Sequence, residues 1–185
     1  MKNKIHSICV FCGSSNGLDQ RYFKDAYLLG TLLAKKNIQL VYGAGKSGLM
    51  GAVADGALSA GGEVFGIVPE NLFELQTVHE GLTKLEIVSN IHLRKARMHE
   101  ASDAFIALPG GFGTLDELFE TITWAQIGIH NKPIGLLNTK DFFSPVLQLV
   151  EHLHQEKFIY DANKVNLFKE DAPAALLAHI VESSL

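Results

Sequence analysis

The sequence predicts a single α/β domain, a doubly wound, Rossmann-like and mostly parallel sheet with helices on both faces. Three observations predict it. Short apolar runs alternate with segments of helical apolar period along 185 residues, three of those runs end in glycine-containing turns that precede helices, and the composition points to no other class. A chain of this length fits one domain, spanning 1–185, and buries roughly 70% of its unfolded surface without disulfides or metals. Apolar residues make up 47% and charged residues 19%, the balance of a packed protein.

The strand-like runs are Ser7 to Phe11, Ile38 to Tyr42, Glu63 to Val68, Leu85 to Val88, Ala104 to Leu108 and Ile134 to Leu137, with Val165 to Phe168 a weaker seventh. Between them, Tyr22, Ala26, Leu29, Leu32 and Leu33 fit one helix face. So do Leu49, Val53 and Ala57, then Leu118, Ile122 and Ala125, then Phe143, Val146, Leu149 and Val150. Short buried strands separated by helices mean parallel pairing through right-handed crossovers. Residues 69–83 show no clear period and read as a loop near the site. No repeat or linker is visible.

A net charge of -4 argues against a nucleic-acid surface, which needs clustered Lys and Arg. No apolar run reaches the ~18 residues of a membrane helix, and Met1-Lys2-Asn3-Lys4 leads straight into a strand, so no membrane partner and a cytoplasmic location are expected. Cys9 and Cys12 form a C-x-x-C spacing, but within a strand rather than at a helix start, and without further zinc ligands; they read as buried structural thiols. His152 and His154 lie two apart on a helix-like stretch, point in different directions and read as solvent-facing.

The glycine turns carry the functional signal. They are Gly13-Ser14-Ser15-Asn16-Gly17, Gly43-Ala44-Gly45-Lys46-Ser47-Gly48 and Pro109-Gly110-Gly111-Phe112-Gly113-Thr114. In a parallel sheet all three lie at the carboxyl edge, where backbone N–H groups and helix N-termini suit a phosphate. A single such turn is as well explained by a tight bend; three on one edge are not. Gly45-Lys46-Ser47 resembles the end of a P-loop, but that motif needs glycine where Leu40 stands. Gly43, Gly45 and Gly48 satisfy G-x-G-x-x-G with Glu70 near the distance of a ribose-binding acid, which leaves an NAD(P)-dependent oxidoreductase as a rival.

Pro109-Gly110-Gly111-Phe112-Gly113-Thr114-Leu115-Asp116-Glu117 resembles the P-G-G-x-G-T-x-x-E signature of the LOG ("lonely guy") family, the cytokinin riboside 5′-monophosphate phosphoribohydrolases. The likeness extends over nearly the whole chain, through Val10-Phe11-Cys12-Gly13-Ser14-Ser15, Leu49-Met50-Gly51, Arg94-Lys95 with Met98, and Ile122-Thr123-Trp124-Ala125-Gln126. The resemblance implies hydrolysis of the N-glycosidic bond of a nucleoside 5′-monophosphate, either AMP or a cytokinin riboside monophosphate, with no cofactor and no metal, by a homodimer whose site lies close to the interface. It places the catalytic roles on Arg94 and Glu117. Substrate contacts fall on Gly13, Ser14, Gly45, Lys95, Gly110, Gly111, Phe112, Gly113, Thr114 and Thr123.

Chemistry supports part of this independently. Cleaving the bond develops oxocarbenium character on the ribose, so a carboxylate such as Glu117 stabilises charge or activates water. Thr114-Leu115-Asp116-Glu117 also reads as a capping box, in which Thr114 caps the helix and Glu117 folds back to the cap. A guanidinium at Arg94 binds phosphate bidentately or holds the ribose and Glu117 in place; the other reading of Arg94 and Arg97 is a solvated basic helix face. Two departures from the family pattern, Gln76 for a loop glutamate and Ala44 in the second turn, bear on substrate preference. A nucleotide carrier without turnover remains a further rival.

Overall fold

The computed structural model describes residues 4–74, 78–159 and 165–183. Seven parallel strands form one sheet in the order β4-β3-β2-β1-β5-β6-β7. They are β1 (Ser7–Phe11), β2 (Gln39–Tyr42), β3 (Val64–Pro69), β4 (Lys84–Val88), β5 (Ala104–Ala107), β6 (Ile134–Leu137) and β7 (Leu167–Glu170), each within two residues of its expected position at nearly every end. The helices are α1 (Gln20–Lys35), α2 (Gly48–Ser59), α3 (Glu70–Glu74), α4 (Ile91–Glu100), α5 (Phe112–Gln126), α6 (Ser144–Gln155) and α7 (Pro173–Ser183). The stretch expected as loop holds the single-turn α3, and α4 and α7 complete the alternation. No helix among the described residues is long and apolar enough to cross a membrane.

Strand order reverses at β1, which pairs with β2 on one side and β5 on the other: Ile8 lies opposite both Leu40 and Ala104. Crossovers therefore leave in opposite directions from neighbouring strands, and a crevice opens between their carboxyl ends. Gln76 lies outside the described residues.

Alternation along β1 sends Ile8, Val10 and Cys12 into one apolar cluster and Cys9 and Phe11 into the other. The two cysteines thus face opposite layers, both are free, and burial pushes both thiols well above their ordinary value, so the C-x-x-C spacing builds no redox or zinc site. On the first layer α1 and α2 approach until backbone meets backbone. A Cβ on Gly30 would stand 2.0 Å from the Val53 carbonyl oxygen, and one on Gly56 2.0 Å from that of Tyr27. The second layer carries α4 and α5.

Candidate active site

The three glycine turns converge at the crevice. The Gly13 amide donates to the Pro109 carbonyl at 3.1 Å, and the Gly13 carbonyl accepts from Leu49 at 3.0 Å and Met50 at 3.2 Å, so the first turn bridges the other two. Gly110 packs so closely that a Cβ there would lie 2.1 Å from Thr114 Oγ1 and 2.8 Å from the Gly13 nitrogen. Around Gly111 and Gly113, by contrast, a Cβ would meet nothing within 4 Å. Gly110 is thus glycine for packing, while Gly111 and Gly113 leave bare backbone at the start of α5, where N–H groups and the helix dipole favour an anion. Gly13, Ser14, Gly110 and Gly111 line a cavity of about 310 Å³ with Tyr22 and Phe142.

The capping-box alternative is corrected by the structure. The helix starts at Phe112 with Gly111 as N-cap and no side-chain cap bond, so Thr114 is already inside the first turn and buried. Glu117 is released from backbone duty and meets Arg94 instead: Arg94 Nη2 donates to Glu117 Oε1 at 3.0 Å, with the side chains 12% and 11% exposed. Burial pushes the Glu117 carboxyl above the ordinary glutamate value, Arg94 pulls it back down, and the neighbouring Asp116 adds to the rise. Arg94 Nε is buried and without a hydrogen-bond partner among the described residues, a donor aimed where no protein acceptor stands.

Gly43 exists for this pair. A Cβ there would stand 2.1 Å from Arg94 Nη2, so the first glycine of the second turn seats the guanidinium. That removes the ground for reading Gly43, Gly45 and Gly48 as a pyrophosphate cradle. Glu70 of the same reading is exposed at the first position of α3. Ala44, the second-turn departure, is fully buried with φ +64° and its carbonyl accepts from the His79 amide at 2.9 Å.

A family model described as "Possible lysine decarboxylase" matches residues 50–180. Cytokinin riboside 5′-monophosphate phosphoribohydrolase LOG1 of Arabidopsis thaliana is 46% identical over 159 residues, covering 86% of this chain and 75% of its own. The cytokinin riboside 5′-monophosphate phosphoribohydrolase of Rhodococcoides fascians is 45% identical over 159 residues, covering 85% and 80%. The chain belongs to the LOG family. Among solved structures, the molybdenum cofactor binding protein of Rippkaea orientalis superposes with a TM-score of 0.72 at 23% identity over 99% of this chain and 98% of its own. The Moco carrier protein of Chlamydomonas reinhardtii gives 0.71 at 20% identity over 97% and 98%. At that identity they share the fold.

The remaining LOG residues fall into two groups. Lys95 lies beside the pair and bridges Asp116 at 3.0 Å and Glu120 at 3.1 Å. Burial pulls its ammonium down, but those carboxylates outweigh it and its pKa lies above the ordinary lysine value. A lysine held protonated is a poor Schiff-base nucleophile, so Lys95 is suited to bind an anion through its charge. Phe112 stands 94% exposed at the first position of α5, and Gly45 bridges to Val78. Thr123 is not brought to the pair: it lies six residues past Glu117, about 120° round the helix, and its exposed hydroxyl donates to the Phe119 carbonyl at 2.7 Å. The threonine buried at this end of α5 is Thr121, whose hydroxyl donates to the Glu117 carbonyl at 2.7 Å. Sequence reasoning passed it over because an i, i+4 backbone bond leaves no motif. Arg97 pairs with Glu86 and Glu100 and stays outside the site.

Proposed function

We propose that this LOG-family protein hydrolyses the N-glycosidic bond of N6-substituted adenosine 5′-monophosphates, releasing the free base and ribose 5-phosphate. The observation that carries the reading is the buried Arg94–Glu117 pair beside a glycine-rich helix start whose Gly111 and Gly113 backbone is open. The 5′-phosphate binds the bare amides of Gly111 to Thr114, helped by the helix dipole. The Glu117 carboxylate faces the ribose. As the bond from C1′ to the base breaks, its electron pair leaves with the base and the ribose takes on oxocarbenium character, which the carboxylate stabilises. Water then adds to C1′ and gives up a proton to Glu117, whose raised affinity for protons makes it a better base than an ordinary glutamate; that proton passes on to the departing base, which leaves neutral and restores the carboxylate. Arg94 holds Glu117 through Nη2 and offers its unpaired Nε–H to a substrate oxygen.

The protein acts as a homodimer with the site near the interface. Ile91 and Leu93 of α4, just before Arg94, and Phe112 of α5, just after Gly111, are exposed apolar side chains of the kind a partner surface covers. Two free thiols suit a cytoplasmic setting. The test incubates the purified protein with AMP and with isopentenyladenosine monophosphate and follows free base and ribose 5-phosphate by chromatography. Base release supports the reading, and the ratio of the two rates identifies the preferred base; bound but intact nucleotide would overturn it. Light scattering reads the dimer.

A further inference from the structure

Behind the catalytic pair lies a closed ring of buried and part-buried hydrogen bonds that no step above uses. Thr121 is fully buried one helical turn past Glu117, and His99 is 5% exposed on α4, five residues past Arg94. The single Thr121 proton goes to the Glu117 carbonyl, so His99 donates through Nε2 to Thr121 Oγ1 at 3.1 Å. His130, from the loop after α5, accepts the Lys132 amide at Nδ1 (3.2 Å) and therefore donates from Nε2 to the Thr121 carbonyl at 3.1 Å. Lys132 Nζ closes the circuit by donating to the His99 carbonyl at 2.7 Å. The His99 ring is packed against Trp124 at 4.4 Å and Phe105 at 4.6 Å, with its Nδ1 buried and without a hydrogen-bond partner among the described residues.

We propose that His99, Thr121, His130 and Lys132 are positioning residues, a brace that locks α4 to α5 and so fixes Arg94 against Glu117. The brace sits one turn along both helices from the pair, in step with it. Glu117 is held at its own carbonyl by Thr121, so a shift of the brace is a shift of the carboxylate's backbone. In an apolar layer such bonds are strong and directional, and catalysis is sensitive to displacements of about 1 Å. A single salt bridge between two side chains does not by itself supply that precision. Burial also keeps His99 neutral, its pKa pushed down to about 4, which preserves the tautomer the ring needs.

This inference rests on the hydrolase reading, and the test separates the two. Thr121→Val removes the hydroxyl at constant shape and Thr121→Ser keeps it. The expected result is a kcat about tenfold lower in Thr121→Val with KM within about twofold, and recovery in Thr121→Ser. In a Glu117→Gln background the same Thr121→Val change costs nothing further, because its effect runs through Glu117. Unchanged turnover in Thr121→Val, or an equal loss in both backgrounds, would overturn the brace. Should Thr121→Val not fold, His99→Phe, which keeps the ring packing, and His99→Gln, which keeps a donor, carry the same comparison. If the wild type releases no base, the functional reading fails, and the brace is read by carboxyl NMR instead: the Glu117 titration moves upward in Thr121→Val as Arg94 loosens, and an unmoved titration refutes it.

Discussion

The two helical layers of this sheet are joined in opposite ways. On one side α1 and α2 meet through glycines, Gly30 against the Val53 carbonyl and Gly56 against that of Tyr27, in a layer of apolar contacts. On the other side α4 and α5 are linked by rungs of polar side chains: Arg94 to Glu117, Lys95 to Asp116 and Glu120, His99 to Thr121. The first layer supplies stability that does not depend on charge. The second holds the costly buried groups that chemistry requires, and it can do so because the first makes no such demand.

Gly56→Ala attacks the first layer and has the largest effect expected. An added methyl 2.0 Å from a backbone oxygen cannot be relieved by a side-chain rotation. The overpacking cost of about 3 kcal/mol or more therefore exceeds the ~1 kcal/mol of helix propensity that alanine brings. Chemical denaturation shows the loss, while turnover per folded molecule stays near wild type. Gly43→Ala attacks the second: its Cβ displaces the Arg94 guanidinium, and kcat falls about 100-fold with a melting temperature changed by only a few degrees.

Acid separates the layers more gently. The His99 pKa is pushed down to about 4 in the folded protein, first because burial disfavours its charged form and then because His130, Lys132 and Lys95 repel the added charge. The unfolded chain takes the proton first, near pH 6.5, so this contribution to stability is present above that pH and is lost as pH falls toward 4. It amounts to about 2–3 kcal/mol at the acid end. His130, also lowered by burial, adds with the same sign. Urea midpoints measured across that range decline, and His99→Phe flattens the decline. Smallest is Gly111→Ala, which the open space accommodates without loss of stability; its methyl crowds the amides proposed to hold the phosphate, and the expected outcome is a KM about tenfold higher.

The strands were legible because a parallel sheet covered on both faces writes its strands as unbroken apolar runs. The convergence of the three turns followed from topology alone. Helix α4 was not, since three of its four inward residues, Arg94, Lys95 and His99, are polar and only Met98 is apolar, so it presents no apolar period. The pairing of Glu117 with Arg94 across separate elements has no local signature either, so Thr114 to Glu117 read equally well as a cap. Gly43 looked like a nucleotide fingerprint because a glycine that admits a guanidinium and one that admits a phosphate are the same residue in the sequence. Thr121 and Thr123 differ only in which side of α5 they occupy.

Glu117→Gln tests the central claim most directly, because it keeps the shape of the side chain and removes its charge. Base release from AMP is measured beside AMP binding by calorimetry. The expected result is a kcat lower by about 10²–10⁴ with binding and fold retained; turnover near the wild-type rate would contradict a catalytic role for Glu117.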